Sequence, residues 1–312
     1  MNYTIEADWH LLYTCNYRCQ YCFFAPNVLG TKLRRYATPE QWEIAFETTG
    51  ETWLLHITGG EPSIYPEFAE LCARLTRRNF ISLNSNLSHR SLEAFSSTVD
   101  PARVSFINAG MHPEERTSRG GQEIFIRNAE LMRAAGFRIM VSLVATPRAL
   151  SQFQEVAAFL KPLGLYPIPK LLRGALDGAT YPAAYTENDK RLFRNFSNSA
   201  RDFYQIEEWD EQPSIDMLHD DEFLDSGEPN FEGVMCDAGD RFVRIDPDGH
   251  VLRCGPVDMG GNILAGTFIR RGRAEPCNTR HCYYFCLKYS HQQTGDAAKE
   301  GINVEPRMIS RL

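Results

Sequence analysis

The sequence predicts an α/β chain: a partial (β/α)6 barrel followed by a small cysteine-rich domain. Three observations carry this. Strand-like and helix-like hydrophobic periods alternate up to about residue 172. A cysteine-rich loop and a glycine turn follow the first two apolar runs. Beyond about residue 185 the composition shifts, first to acidic sequence and then to a span, Cys236 to Cys286, that holds five of the nine cysteines.

The strand-like runs are Trp9–Thr14, Trp53–Thr58, Phe80–Leu83, Arg103–Asn108, Arg138–Ala145 and Leu165–Leu171. Amphipathic helices fit between them. Thr38-Pro39-Glu40-Gln41 supplies a cap and a proline at the first helical position. Tyr65-Pro66-Glu67 opens the next helix, and Gly136 ends the one through Asn128–Ala135. Six strands with crossovers make a parallel sheet with right-handed connections. A further helix starts at Thr186-Glu187, and Phe242 to Cys254 reads as a hairpin turning at Asp246-Pro247-Asp248-Gly249. The expected organisation is a barrel over 1–185, a bridging helix and acidic linker over 186–235, a cysteine-rich domain over 236–290 and a tail over 291–312.

At 312 residues and 43% hydrophobic, the chain can fill one large core and a small appendage. No apolar stretch approaches the roughly 20 residues of a membrane span, and no signal pattern opens the chain, so a cytoplasmic protein without a membrane partner is expected. The net charge is −7, with acidic residues concentrated at 207–211 and 216–228. Such a surface disfavours nucleic acid and favours a cationic over an anionic substrate. Clustered cysteines in this setting read as reduced metal ligands rather than disulfides.

Cys15-Asn16-Tyr17-Arg18-Cys19-Gln20-Tyr21-Cys22 directly follows the first apolar run. Three thiolates spaced C-x3-C-x2-C can hold three corners of a four-iron cluster, leaving the fourth open to a chelating ligand. A zinc site would take four ligands, and no fourth Cys or His lies at finger spacing. After the second run comes Gly59-Gly60-Glu61-Pro62, a turn with little bulk and one carboxylate.

In this order and placement the two motifs resemble those of the radical S-adenosylmethionine (SAM) superfamily. The resemblance implies that Cys15, Cys19 and Cys22 bind a catalytic [4Fe-4S] cluster, that SAM chelates the fourth iron, and that Gly59, Gly60, Glu61 and Pro62 receive the SAM amino group. It also implies that polar residues after the third strand, Asn84 and Asn86 with Ser85, touch SAM. Ligands gather at strand C-termini in such sheets, which adds Asn108, His112, Thr146, Lys170 and Arg173 as candidates. Gly59 and Gly60 are expected to refuse bulk because backbone approaches ligand there.

The C-terminal region resembles the superfamily's auxiliary-cluster extensions, the SPASM domain and its half-sized relative twitch. The matching residues are Cys236, Gly249 and Cys254 in G-x4-C, and Cys282-x3-Cys286. Cys236, Cys254, Cys277, Cys282 and Cys286 offer five thiols for four positions, enough for one auxiliary [4Fe-4S] cluster, with a zinc ribbon as the alternative. The motif favours Cys236 and Cys254 as ligands, which leaves one of the other three over. Cys277, or Cys254 if the motif misleads, is then a candidate hydrogen-atom donor. Cys72, on a helix face with Leu71 and Leu75, reads as core.

The implied chemistry is reductive cleavage of SAM to a 5′-deoxyadenosyl radical that takes hydrogen from a substrate C–H, with flavodoxin or ferredoxin as reductant. The surplus cysteine favours epimerisation of a small, polar, amino-sugar-like or aminoglycoside-like substrate. The alternatives are a twitch-type dehydrogenase and a SPASM-type maturase of ribosomal peptides. With the first strand placed at Trp9, no room is expected before it for a peptide-recognition domain, which disfavours the peptide reading. An electron carrier or zinc scaffold would not require an open three-cysteine site with GGEP.

Overall fold

The computed structural model describes residues 1–205, 224, 230–255, 257–280, 282, 289 and 291. Its first part alternates as expected: β1 (Ile5–Leu12), α1 (Pro39–Thr48), β2 (Trp53–Gly59), α2 (Phe68–Leu75), β3 (Phe80–Ser85), α3 (Ser91–Thr98), β4 (Val104–Gly110), α4 (Pro113–Ser118), α5 (Gln122–Ala134), β5 (Ile139–Val144), α6 (Pro147–Ser151), α7 (Phe153–Leu160) and β6 (Pro167–Lys170). Then follow β7 (Gly174–Leu176), β8 (Ala179–Tyr181), α8 (Glu187–Tyr204), β9 (Met235–Cys236), β10 (Phe242–Ile245), β11 (His250–Cys254), β12 (Val257–Asn262) and β13 (Glu275–Pro276). Strands β1 to β6 pair in parallel and in sequence order, the partial (β/α)6 barrel expected.

Local chemistry explains the elements. Thr38 accepts from the Gln41 amide while the Gln41 side chain accepts from the Thr38 amide, a capping box that starts α1. Thr186 and Asp189 repeat the device at α8. On the outer face of β1, Trp9 meets Trp42 and Phe46 of α1 with ring centroids 4.7 and 5.2 Å apart. On α8, Phe196 stacks on Phe153 of α7 at 3.8 Å. Gly136 follows α5 at φ 89°, the left-handed residue that closes it.

Two features differ from expectation. First, β1 begins at Ile5, four residues before Trp9, and all eight of its residues are buried. The polar residues Glu6, Asp8 and His10 hide this half of the strand from a hydrophobicity reading, because they alternate with Ile5, Ala7 and Trp9 and face the other side. Glu6 is satisfied there by the Tyr3 hydroxyl at 2.6 Å and His56 Nε2 at 3.1 Å.

Second, the hairpin β10–β11 joins the main sheet. β10 runs parallel to β1, Glu6 opposite Phe242 and Trp9 opposite Ile245, and among the described residues the sheet is nine-stranded in the order β12-β11-β10-β1-β2-β3-β4-β5-β6. A four-residue strand carries no local mark of its partner. The small sheets β7–β8 and β9–β13 were likewise illegible at two or three residues each. Among the described residues no helix is long and apolar enough to cross a membrane. The acidic stretches, apart from Leu224 within the second, and Cys286 lie outside the described residues.

Candidate active site

The cysteine loop leaves the C-terminal end of β1. Cys22 donates its amide to the Cys19 carbonyl at 3.0 Å, and the Tyr17 amide donates to Cys15 Sγ at 3.3 Å. Burial pushes the Cys15 thiol up to about 11 and Cys19 up to about 12, and raises Cys22 as well. Cys22 adds to the rise at Cys15, and both add to the rise at Cys19, so the three thiols share one locus. A metal must displace their protons on binding. Three half-buried thiols with an amide already directed at one sulfur are a donor set that suits three corners of an iron–sulfur cluster. Among the described residues no three His, Cys, Asp or Glu side chains close around a point as ligands of one ion would.

Gly59-Gly60-Glu61 lies against this loop. The Gly60 amide donates to the Leu12 carbonyl at 2.7 Å and the Glu61 amide to the Thr14 carbonyl at 2.9 Å. A Cβ on Gly59 would stand 2.2 Å from the Leu12 oxygen, and one on Gly60 2.1 Å from the Thr14 oxygen. The glycines thus exclude bulk because backbone meets backbone, a cause additional to any ligand.

Glu61 is a hub. Its side chain is 1% exposed; Oε1 accepts from the Ser63 amide, the Ser63 hydroxyl and the Ser85 hydroxyl at 3.1, 2.5 and 2.7 Å, and Oε2 accepts from the Asn86 amide at 2.7 Å. It ties the turn after β2 to the segment after β3. Asn86 Nδ2 continues the link to Asn16 Oδ1 in the cysteine loop at 2.9 Å, and Asn16 donates to Ser88 Oγ at 2.6 Å. Asn84 Oδ1 accepts from Asn108 Nδ2 at 2.7 Å, one strand over. Pro62 is buried at the start of a single 3-10 turn.

Arg116, on α4, is a residue the sequence reading missed. It is 0% exposed, and every hydrogen bond of its guanidinium goes to a backbone carbonyl: Met111 at 3.0 Å, Gly121 at 3.4 Å, Asn86 at 2.9 Å and Gly110 at 3.0 Å. The charge also sits 4.1 Å from the Phe125 ring centroid and 5.8 Å from that of Tyr17. In sequence it looks like an ordinary charge on a polar helix.

His112 turns toward the cysteine loop. Its Nδ1 lies 3.2 Å from the Tyr21 hydroxyl and 3.5 Å from Cys19 Sγ, and its ring occupies the space a Gly110 side chain would need. Burial, helped by Arg116, drives its pKa down to about 4, so the ring is neutral. Thr146 caps α6, accepting from the Ala149 amide at 3.0 Å. Lys170 ends β6, and its charge is one of those felt by His112. Arg173 lies just beyond β6, before β7.

At the C-terminal site Cys236, Cys254 and Phe242 form a buried cluster with Cys282 packed against it. Burial lifts Cys236 to about 12, with Cys282 and Cys254 adding to the rise. Cys277 is not part of this cluster among the described residues, and its sulfur lies 3.3 Å from Thr279 Oγ1. Arg253 is buried and donates to the carbonyls of Ala238 (2.9 Å), Cys236 (3.4 Å), Glu275 (2.6 Å) and Pro276 (2.8 Å), drawing together the three segments that carry Cys236, Cys254 and Cys277.

Comparison with known proteins agrees with this arrangement. Residues 9–160 match the family model described as the radical SAM superfamily. The chain is 26% identical over 260 residues to the PqqA peptide cyclase of Gluconobacter oxydans (strain 621H), covering 80% of this chain and 69% of that protein. It is 24% identical over 285 residues to the mycofactocin maturase MftC of Mycobacterium tuberculosis (strain CDC 1551 / Oshkosh), covering 86% and 68%. The solved structure of anSMEcpe with bound AdoMet shares the fold at a TM-score of 0.57 and 17% identity, covering 86% of this chain and 76% of that one. Two motif loops meeting at the C-terminal edge of a parallel sheet thus fall within residues 9–160, and that stretch of the chain is a radical SAM superfamily domain.

Proposed function

We propose that this enzyme matures a peptide by removing two hydrogens, one as an atom from a C–H bond and one as a proton and an electron, and that the C-terminal cysteines would hold an auxiliary cluster able to accept that electron. The observation that carries the reading is the similarity to a peptide cyclase and a maturase over 80% and 86% of the chain, well past residue 160 and into the cysteine-rich region. The expectation of an amino-sugar-like substrate and epimerisation finds no support in these relatives. It rested on a surplus cysteine, and a thiol count says nothing about the substrate.

When bound, the N-terminal cluster and SAM supply a 5′-deoxyadenosyl radical. The chain's part is to hold and orient. Cys15, Cys19 and Cys22 would hold three irons; Gly59, Gly60, Glu61, Pro62, Asn84 and Asn86 would shape the SAM site. Arg116 and Glu61 fix the loops against one another, so the geometry is set before substrate arrives. Cys236, Cys254 and Cys282 are the described thiols best gathered for an auxiliary [4Fe-4S] cluster, with Cys286 as the fourth and Cys277 left over. A flavodoxin or ferredoxin would serve as reductant.

Anaerobically reconstituted protein should hold about eight irons and, with SAM and dithionite, release 5′-deoxyadenosine. Replacing Cys15, Cys19 and Cys22 with Ala should remove about half the iron and all SAM cleavage. Incubation with peptides encoded beside its gene should yield a product lighter by two hydrogens. Turnover of an aminoglycoside with no peptide modified would overturn the peptide reading.

A further inference from the structure

The register of β10 on β1 places Asp8 opposite Arg244. With the strand's alternation, Asp8 and His10 on β1 and Arg244 and Asp246 at the end of β10 therefore share one face, the one turned away from Trp9 and α1. Because β10 is parallel to β1, Asp246 reaches the same sheet edge as the cysteine loop, and Tyr13, two residues before Cys15, donates its hydroxyl to Asp246 Oδ1 at 3.0 Å.

His10 is 4% exposed and stands between two carboxylates. Its Nε2 lies 3.3 Å from Asp8 Oδ2, whereas its Nδ1 has no hydrogen-bond partner among the described residues and lies 3.9 Å from Asp246 Oδ1. An ionised carboxylate only accepts, so Nε2 turns an N–H to Asp8. Nδ1 looks at a second carboxylate. Oδ1 of Asp246 already takes Arg244 Nε at 3.2 Å, Arg244 Nη2 at 2.8 Å and the Tyr13 hydroxyl, while Oδ2 has no such bond among the described residues. His10 Nδ1 and Asp246 Oδ2 are thus both without a hydrogen-bond partner among the described residues, and a group with several N–H bonds would satisfy the carboxylate.

Charge and walls point the same way. Two carboxylates stand against one guanidinium, with His10 between them. The Phe24 ring meets the His10 ring at 5.3 Å and the Tyr13 ring at 5.4 Å, both edge to face, and forms an aromatic wall beside them.

We infer that the array Asp8, His10, Arg244 and Asp246, walled by Tyr13 and Phe24, is a substrate subsite for a cationic hydrogen-bond donor, an ammonium or guanidinium. Resting on the peptide reading above, the group is a lysine or arginine side chain near the C–H that reacts.

The test uses reconstituted holoenzyme with SAM, titrated anaerobically in a calorimeter with N-acetyl-lysine methylamide and with its uncharged counterpart, N-acetyl-norleucine methylamide. Lysine should bind at least tenfold more tightly. Asp246→Asn should bring lysine to the norleucine level, and Asp246→Glu, which keeps the carboxylate, should retain most of the preference. Equal binding of the two probes to the unaltered enzyme, or an Asp246→Asn variant that keeps the preference, overturns the inference. Should Asp246→Asn fail to fold, the two-probe comparison and the Glu variant still decide. Failure of the unaltered enzyme to cleave SAM would strike the functional reading, whereas intact cleavage with no lysine preference strikes this subsite alone.

Discussion

The Arg116 guanidinium donates to the carbonyl of Asn86 at 2.9 Å, so a side chain of α4 holds the backbone that follows β3. The same nitrogen takes the Gly110 carbonyl, and no lysine can reproduce the fork. Arg116→Lys and Arg116→Ala should each destabilise the protein by about 3 kcal/mol or more, since several buried carbonyls lose their donor. Thermal melting checks the loss, and iron bound on reconstitution should fall with it. Retention of both stability and iron in the Ala variant would show that the loops hold without the clamp.

Gly60→Ala should prevent the cysteine loop from seating on the glycine turn, since the added carbon would stand 2.1 Å from the Thr14 oxygen. Iron uptake at the N-terminal site should drop severely. Gly178→Asn, at the β7–β8 turn with φ 80° and nothing within 4 Å, should be tolerated. Comparable iron in the two variants would mean that the contact relaxes cheaply.

Glu61→Gln replaces one acceptor oxygen with an amide facing either the Asn86 amide or the serine hydroxyls. We expect destabilisation of about 1–3 kcal/mol in the absence of SAM, together with weaker SAM binding. Weaker SAM binding with unaltered stability would mean that the carboxylate serves the ligand only.

Cys277→Ser should keep the full iron complement, because the sulfur already faces Thr279. Cys236→Ser and Cys254→Ser should lose about half the iron on the cluster proposal above. Loss of iron from the Cys277 variant would return that residue to the ligand set.

Glu51 is held below the usual carboxylate range. Burial works against this, but the Thr4 hydroxyl at 2.6 Å and Arg270 at 3.0 Å outweigh it. A depressed pKa stabilises the folded state above the unfolded value of about 4.3, and that contribution is lost as pH falls through the folded value. For this partly exposed pair the difference between Glu51→Gln and the unaltered protein should be about 0.2–1 kcal/mol at pH 7 and shrink below pH 4. Urea unfolding at both pH values tests it, and a gap that widens on acidification would reverse the assignment.

What the sequence made legible follows physical range. Capping at Thr38 and Thr186 and the Asp246–Gly249 turn depend on neighbours within a few residues, and each was readable. Both motif loops were readable because their residue types are unusual. The roles of Glu61, Asn16 and Arg116 were not, for the partners that tie one loop to another lie 24 to 72 residues away or are backbone atoms that any sequence supplies. The buried half of β1 was missed for a related reason: Glu6, Asp8 and His10 look solvent-exposed until the other side of the barrel is built around them.

The pairing of β10 with β1 acts as a ruler. Strands in a sheet are about 4.8 Å apart and rise about 3.3 Å per residue, so Cys254 on β11, level with Phe242 and hence with Glu6 of β1, stands two strands to the side and roughly 20 Å back from Leu12, where the strand leads into the cysteine loop. Backbone hydrogen bonds, rather than a hinge, fix that offset. Electron tunnelling between groups held at the two ends would therefore run over a gap that substrate binding leaves unchanged, and a bulky substrate would have to enter by displacing loops instead of prising the two sites apart.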